Sequence, residues 1–329
     1  MGLSIGYVGE RPVASSSSRL KGFLTRLLDE HSLVAFKESF DAYRAQVLDP
    51  SSAETRLSLR VVCQDALIDQ VPAREAKIPL NEGLTLVYLG VNAPERILSS
   101  AECERLDALR RSASSSFGQD GRTDVEALVR RFQRALARGY SISIVAWPGE
   151  RATLLKHHSR EIASLLRRFG YDEDDVVEIV EDSANLIGIA QHRDNVVGVV
   201  VAETVDVVLR NTGNEMTLRL AELTDSSIDG AHTGSGLQVL THAKLIARLV
   251  ERETPLDIIF SESTYGGSLH NAATLGRTFA GRLPNHAIIE PEYPVADSST
   301  PAYQSLEVTY LTLPNARAAV DALRQEGCL

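Results

Sequence analysis

The chain has 329 residues, of which 43% are hydrophobic and 24% charged, with a formal charge of −10. That is the balance of an ordinary globular protein, long enough for two domains and for a core without disulfide staples. The acidic excess argues against nucleic acid as a partner, a local basic patch excepted. Three cysteines with no CxxC spacing argue against a disulfide framework or a thiolate metal site, so no metal and a cytoplasmic location are expected.

The first residues lack the basic flank and long apolar run of a signal peptide, and position 6 is Gly where myristoylation would want Ser or Thr. No stretch approaches the roughly 18 apolar residues that span a bilayer, so no membrane partner is expected. Ser15–Ser18 reads as a loose loop. Arg19–Val47 has helical spacing (Leu20, Phe23, Leu24, Leu27, Leu28, then Phe36, Phe40, Tyr43, Val47), broken near His31-Ser32. Arg56–Cys63 and Leu84–Val91 read as strands, and Ala101–Arg111 as a helix capped by Ser99 or Ser100. Residues 112–121, rich in Ser and Gly and without apolar periodicity, read as a linker. The expected domains are therefore 1–120 and 121–329. The first is a smaller α/β unit without a catalytic motif, expected to shape an acceptor pocket or a homodimer interface.

The second half has a clearer rhythm. Thr123–Arg138 predicts a helix with Val125, Leu128, Val129, Phe132 and Leu136 on one face. Ser141–Trp147 predicts a strand, with Trp147 in the core. Helices follow over Lys156–Phe169 and Asp174–Asp182, the acids at Asp172–Asp175 favouring a helix start. Strands are expected at Leu186–Gln191, Val196–Thr204 and Thr217–Leu223, then a helix over Gly236–Val250 and a strand over Leu256–Ser261. A short helix from Ser268 to about Phe279 and strands near Ala287–Ile289 and Leu306–Thr312 complete an α/β mix.

The most informative stretch is Ala221–Gln238, AELTDSSIDGAHTGSGLQ, in which a strand enters a turn with Gly234 and Gly236 and the turn opens an amphipathic helix. At such a helix start backbone N–H groups lack intrahelical acceptors and the dipole favours an anion. Ordinary turn chemistry accounts for the same glycines, and both readings stand at this point. His157 and His158 are adjacent on a predicted helix and face different ways, so surface histidines account for them better than a metal pair. His232 would meet phosphate or solvent. No Ser-His-Asp order, HExxH, P-loop or GxGxxG fingerprint is present.

The order of these elements resembles the GNAT N-acetyltransferase superfamily over residues 145–313, and within it the β-lysine N-acetyltransferase branch. There the strand before the turn reads approximately E-M-T-D-C-A-T and the turn R-G-K-G-L. Here they read Glu222-Leu223-Thr224-Asp225-Ser226-Ser227-Ile228 and Thr233-Gly234-Ser235-Gly236-Leu237, with the same number of residues between. Ala280-Gly281-Arg282-Leu283-Pro284-Asn285 looks like that branch's G-T-L-x-N segment.

The resemblance implies a GNAT fold, a mixed and mostly antiparallel twisted sheet flanked by helices, preceded by the smaller α/β domain. It also implies acyl-CoA, in the simplest case acetyl-CoA, as co-substrate, and a small amine or amino-acid-like molecule as acceptor. Cofactor contacts would come from Leu223, Thr224, Thr233, Gly234, Ser235, Gly236, Leu237 and Gln238, and from Asn271 near the pantetheine end. Glu222 matches the general-base position, and Asp225 would bind the substrate ammonium or cap the turn. Two departures stand out. The turn begins with Thr233 where the family has Arg or Gln. The family's thiolate-protonating tyrosine would fall near Thr278 or Phe279, leaving Tyr265 as the nearest substitute. These departures keep two alternatives open: a donor on an acyl carrier protein or aminoacyl-tRNA, and a non-catalytic GNAT-like domain for ligand binding or assembly.

Overall fold

The computed structural model describes residues 19–23, 27–49, 56–92, 108, 117, 122–169, 171–211, 214–263, 266–288 and 303–329. The chain divides into two compact units. One comprises Met1–Leu109, Val205–Arg219 and Ala280–Val308, and the other Arg110–Thr204, Leu220–Phe279 and Thr309–Leu329. The expected helix 101–111 and linker 112–121 fall almost wholly outside the described residues, as does the loop 15–18.

In the first unit β1 (Arg19–Phe23) runs parallel to β2 (Arg56–Gln64), which pairs antiparallel with β4 (Leu84–Asn92). Strand β3 (Arg74–Pro79) pairs with β4 and, through Ala76, with Gly281 of β10 (Thr278–Ile288). Helix α1 (Glu30–Leu48) begins where Asp29 and Ser32 close a reciprocal capping box, the Ser32 N–H donating to Asp29 Oδ1 at 2.8 Å. Its Leu33, Phe36 and Phe40 pack on Leu59, Val61, Val87 and Leu89 of the strands. Burial raises the Cys63 thiol in this core to about 11, so it is an inert core residue rather than a nucleophile.

The second unit opens with α2 (Val125–Ala137) and β5 (Tyr140–Val145), followed by α3 (Pro148–Leu166) and α4 (Glu173–Glu181). Strands β6 (Asn185–His192), β7 (Asn195–Asn211) and β8 (Asn214–Ile228) form the meander, and α5 (Leu237–Val250) leads to β9 (Ile258–Ser263). Helix α6 (Gly266–Thr274), β10, β11 (Tyr303–Thr312) and α7 (Leu313–Gln325) complete the chain. Pairing is antiparallel from β5 through β7 and parallel between β8 and β9, in the order β5-β6-β7-β8-β9-β11. The strands are apolar on both faces because both are covered. Leu186, Ala190, Val200, Ala202, Ala221 and Leu223 pack against α2, α5 and α7. The alternate residues Ile187, Ile189, Val199 and Val201 pack against α3 and α4. The architecture is thus a mixed α/β fold with a mostly antiparallel sheet flanked by helices, in the order β5, α3–α4, β6–β8, turn, α5, β9, α6, β10–β11, as expected from the resemblance.

Several local expectations are corrected. Residues 19–23 form β1 rather than a helix start, because they find a parallel ladder on β2, and the helix begins at the first competent cap, Asp29. Trp147 is 62% exposed rather than in the core, capping the start of α3 with the Arg248 guanidinium 5.7 Å from its ring. Leu136 is 68% exposed, and Ala135 takes its place on the buried face of α2. Helix α6 stops at Thr274, where Gly276 takes a φ of 71°, so Thr278 and Phe279 lie in β10 and not in the last turn of a helix.

Candidate active site

Strand β8 positions the acidic pair. Ala221 and Leu223 are buried against α5, so alternation turns the half-buried Glu222 and Thr224 toward the opposite, α3–α4 face. The rhythm breaks at Asp225, whose φ of 42° is left-handed. Its carboxylate accepts from the Tyr171 hydroxyl, 3.4 Å from each oxygen, and Tyr171 itself packs beside the α3–α4 core. The turn is capped instead by Asp229, which accepts from the Ala231 N–H at 2.8 Å.

The parallel ladder pairs Leu220 with Ile258, Ala221 with Ile259 and Glu222 with Phe260. Among the described residues it ends there, although β8 continues to Ile228 and β9 to Ser263. Successive N–H groups of a strand point to opposite edges, so one of Leu223 and Thr224 turns its backbone toward β9 beyond the last rung, a polar edge suited to an extended amide-bearing chain.

The turn from Asp229 to Gly236 delivers the start of α5. Gly234 (φ 73°) and Gly236 (φ 81°) both occupy the left-handed region, and Gly236 is the N-cap. No side chain caps α5, and the first bond along it is Leu240 N–H to Gly236 O at 3.2 Å. The N–H groups of Leu237, Gln238 and Val239 thus lie ahead of the helical ladder at the positive end of the dipole. Thr233 and Gly234 are exposed, Ser235, Gly236 and Gln238 half-buried, and Leu237 is buried. Ser235 Oγ donates to His232 O, tightening the turn. His232 Nδ1 lies 2.8 Å from the Tyr140 hydroxyl, within an aromatic group that includes His192.

A polar network joins this helix start to α6 and α2. The Gln238 amide donates to Ser226 Oγ (2.9 Å) and Ser268 Oγ (3.2 Å), and accepts from Asn271 Nδ2 (2.9 Å). Asn271 Oδ1 accepts from Arg131 Nη1 at 3.2 Å, and Arg131 Nη2 lies 3.3 Å from His270 Nε2. The Arg131 stem covers Gly236 so closely that a Cβ there would lie 3.3 Å from Arg131 Cδ. Desolvation and then the neighbouring Arg134 lower the Arg131 pKa, with Asp124 opposing them. A guanidinium held by neutral partners beside a helix N-terminus is a local excess of positive charge that an anion would relieve.

The structure therefore brings Glu222, Thr224, Asp225, Gln238 and Asn271 onto the elements around the β8–α5 turn. Tyr265 lies outside the described residues. Sequence reading missed Arg131, which arrives from a helix about a hundred positions upstream; Thr233, standing where the family has Arg or Gln, was the one departure that could have prompted a search for a cation elsewhere. Among the described residues no group of three or more His, Cys, Asp or Glu is placed to hold a metal ion, and no helix is long and apolar enough to cross a membrane.

No family model and no curated protein matches the chain. Among solved structures it is similar to Arabidopsis thaliana NAA60 in complex with acetyl-CoA, at 10% identity and a TM-score of 0.38 over 53% of this chain and 99% of that one. It is also similar to spermidine N-acetyltransferase from Vibrio cholerae in complex with CoA and spermine, at 17% identity and 0.35 over 54% and 98%. A third is FeeM, an N-acyl amino acid synthase from uncultured soil microbes, at 14% and 0.34 over 55% and 94%. Scores this low carry no functional argument, which rests on the site itself.

Proposed function

We propose that the chain is an N-acyltransferase that moves an acyl group, in the simplest case acetyl, from acyl-CoA to a primary amine of a small amino-acid-like molecule. The observation that carries the reading is the uncapped, glycine-opened start of α5, with Arg131 over it and Glu222 on the strand that leads into it. Backbone N–H groups of Gly234 through Val239 and the Arg131 guanidinium would hold the pyrophosphate. The pantetheine amides would lie along the Leu223–Thr224 edge, with Asn271 nearby. Glu222, directly or through a water, takes a proton from the bound ammonium, which Asp225 helps to place. The free amine attacks the thioester carbonyl, and as the tetrahedral intermediate collapses the C–S bond breaks and the proton shed by the attacking nitrogen passes to the departing CoA thiolate. The β-lysine branch suggests an amino-acid-like acceptor.

The test is thermal unfolding alone and with millimolar acetyl-CoA, free CoA or NAD. Saturation at about a hundred times Kd adds about 2.7 kcal/mol, which is several degrees in the midpoint for a protein of this size. A rise with CoA and acetyl-CoA but not NAD is expected, and no rise with either CoA form would sink the proposal. Arg131→Met is expected to weaken CoA binding about tenfold and to flatten its salt dependence, read by titration calorimetry at two ionic strengths. Unchanged affinity would remove Arg131 from the phosphate site.

A further inference from the structure

Beneath α5 lies a polar cluster that the chemistry above does not use. Arg277, which follows the turn after α6, is only 2% exposed. Its Nη1 donates to Ser261 Oγ of β9 and lies 3.5 Å from Thr309 Oγ1 of β11. Both hydroxyl residues are buried, and together they anchor the Nη1 end of the guanidinium. Arg277 Nε and Nη2 have no hydrogen-bond partner among the described residues. Burial lowers the Arg277 pKa only to about 10, so the group stays charged at neutral pH. His242 of α5 is buried as well. Burial, and then the charge of Arg277, lowers it to about 3, so it is neutral, and its Nε2 is also without a partner.

Among the described residues no carboxylate pairs with Arg277, and a cation buried without a counter-charge costs a core more than an aliphatic side chain in the same space. The free donors are also the informative ones. Nε and Nη2 lie on one edge of the guanidinium and form the fork that matches the two oxygens of a carboxylate. A single positive charge beside a neutral histidine suits a monoanion, whereas a phosphate dianion would be left undercompensated. The place is suggestive too. Ser261 follows Phe260, the register partner of Glu222, so the guanidinium is anchored one residue beyond the point where the β8–β9 ladder ends, on the α5 face of the sheet, with Glu222 on the opposite face.

We propose that Arg277 presents its Nε–Nη2 edge to a carboxylate, with Ser261 and Thr309 holding the guanidinium, and that this carboxylate is the distal end of a dicarboxylic acyl group on the donor. The second half of that statement rests on the acyltransferase reading; the carboxylate site does not. The chemistry is shared by a free small carboxylate, and the experiment separates the two sources.

Titration calorimetry would compare succinyl-CoA, the uncharged near-isostere butyryl-CoA, and free CoA. The wild-type protein is expected to bind succinyl-CoA about tenfold or more tightly than butyryl-CoA. Arg277→Met should bring that ratio to about one by weakening succinyl-CoA alone, and Arg277→Lys, which keeps the charge but loses the fork, should do nearly the same. The wild-type ratio decides the matter even if a variant fails to fold. In a second arm, succinate or acetate replaces chloride at constant ionic strength in a thermal-unfolding assay. If no CoA form binds but succinate or acetate raises the wild-type midpoint and not that of Arg277→Lys, the acyltransferase reading falls and the carboxylate site stands. Equal affinity for the two acyl-CoAs together with no response to free carboxylates would overturn the proposal.

Discussion

Glu222→Gln is expected to lower kcat by about two to three orders of magnitude while leaving CoA affinity within about twofold. The amide keeps the size of the carboxylate and much of its hydrogen bonding on β8, but it cannot take the proton that the ammonium must lose. The position supports this, because Glu222 is half-buried, turned to the α3–α4 face, and opposite Phe260 at the last rung of the parallel ladder. Steady-state kinetics with an accepted amine would read the effect. A folded variant with full turnover would take Glu222 out of the chemistry.

Gly281→Val is expected to cost about 3 kcal/mol or more in stability, the largest loss of any single substitution considered. Gly281 adopts a φ of 152° in β10, where a Cβ would lie 2.4 Å from the Glu75 carbonyl oxygen and 2.6 Å from Ala76 Cα. Both obstacles are backbone of β3, the strand with which Gly281 pairs, so no side-chain rotation can relieve them. Gly234→Ala is the natural control: its φ of 73° is left-handed but nothing lies within 4 Å of the new Cβ. It should cost only about 1–2 kcal/mol. Urea denaturation of the two variants would compare them, and a wild-type midpoint for Gly281→Val would mean that β3 and β10 do not meet as described.

These positions show what was legible beforehand. The strands and helices from β5 to β9 were readable in kind and order because each covers a packed face with the right period, and the α4 start because Asp172 and the acids after it suit a helix N-terminus. Helix α3 was expected from Lys156 but begins at Pro148, a proline in its first turn. Gly281 was noticed only as part of a likeness to a family segment. The structure gives it a packing reason, the close approach of β3, which itself was not read because REAKIP is too polar to announce a strand. Helix α7 was legible but unread: Pro314 stands in its first turn, and Ala316, Ala319, Val320 and Leu323 recur at helical spacing. Arg131 and Arg277 could not have been found from spacing. Each matters through partners far away in sequence, Asn271 for one and Ser261 and Thr309 for the other. What the fold brings together at the site is carried by long-range contacts, and periodicity reports only local ones.

The first unit draws on three separate stretches, the last ending at Val308, and the second resumes at Thr309 and runs to Leu329. During synthesis, then, the first unit cannot be finished before Val308 has been made, nor the second before Thr309–Leu329 have followed. Strands β2 and β4 emerge early, while β3 must wait some two hundred residues for its neighbour β10. For that interval its backbone edge is unpaired and open to wrong partners, and long-range pairings of this kind are the slow, aggregation-exposed steps of folding.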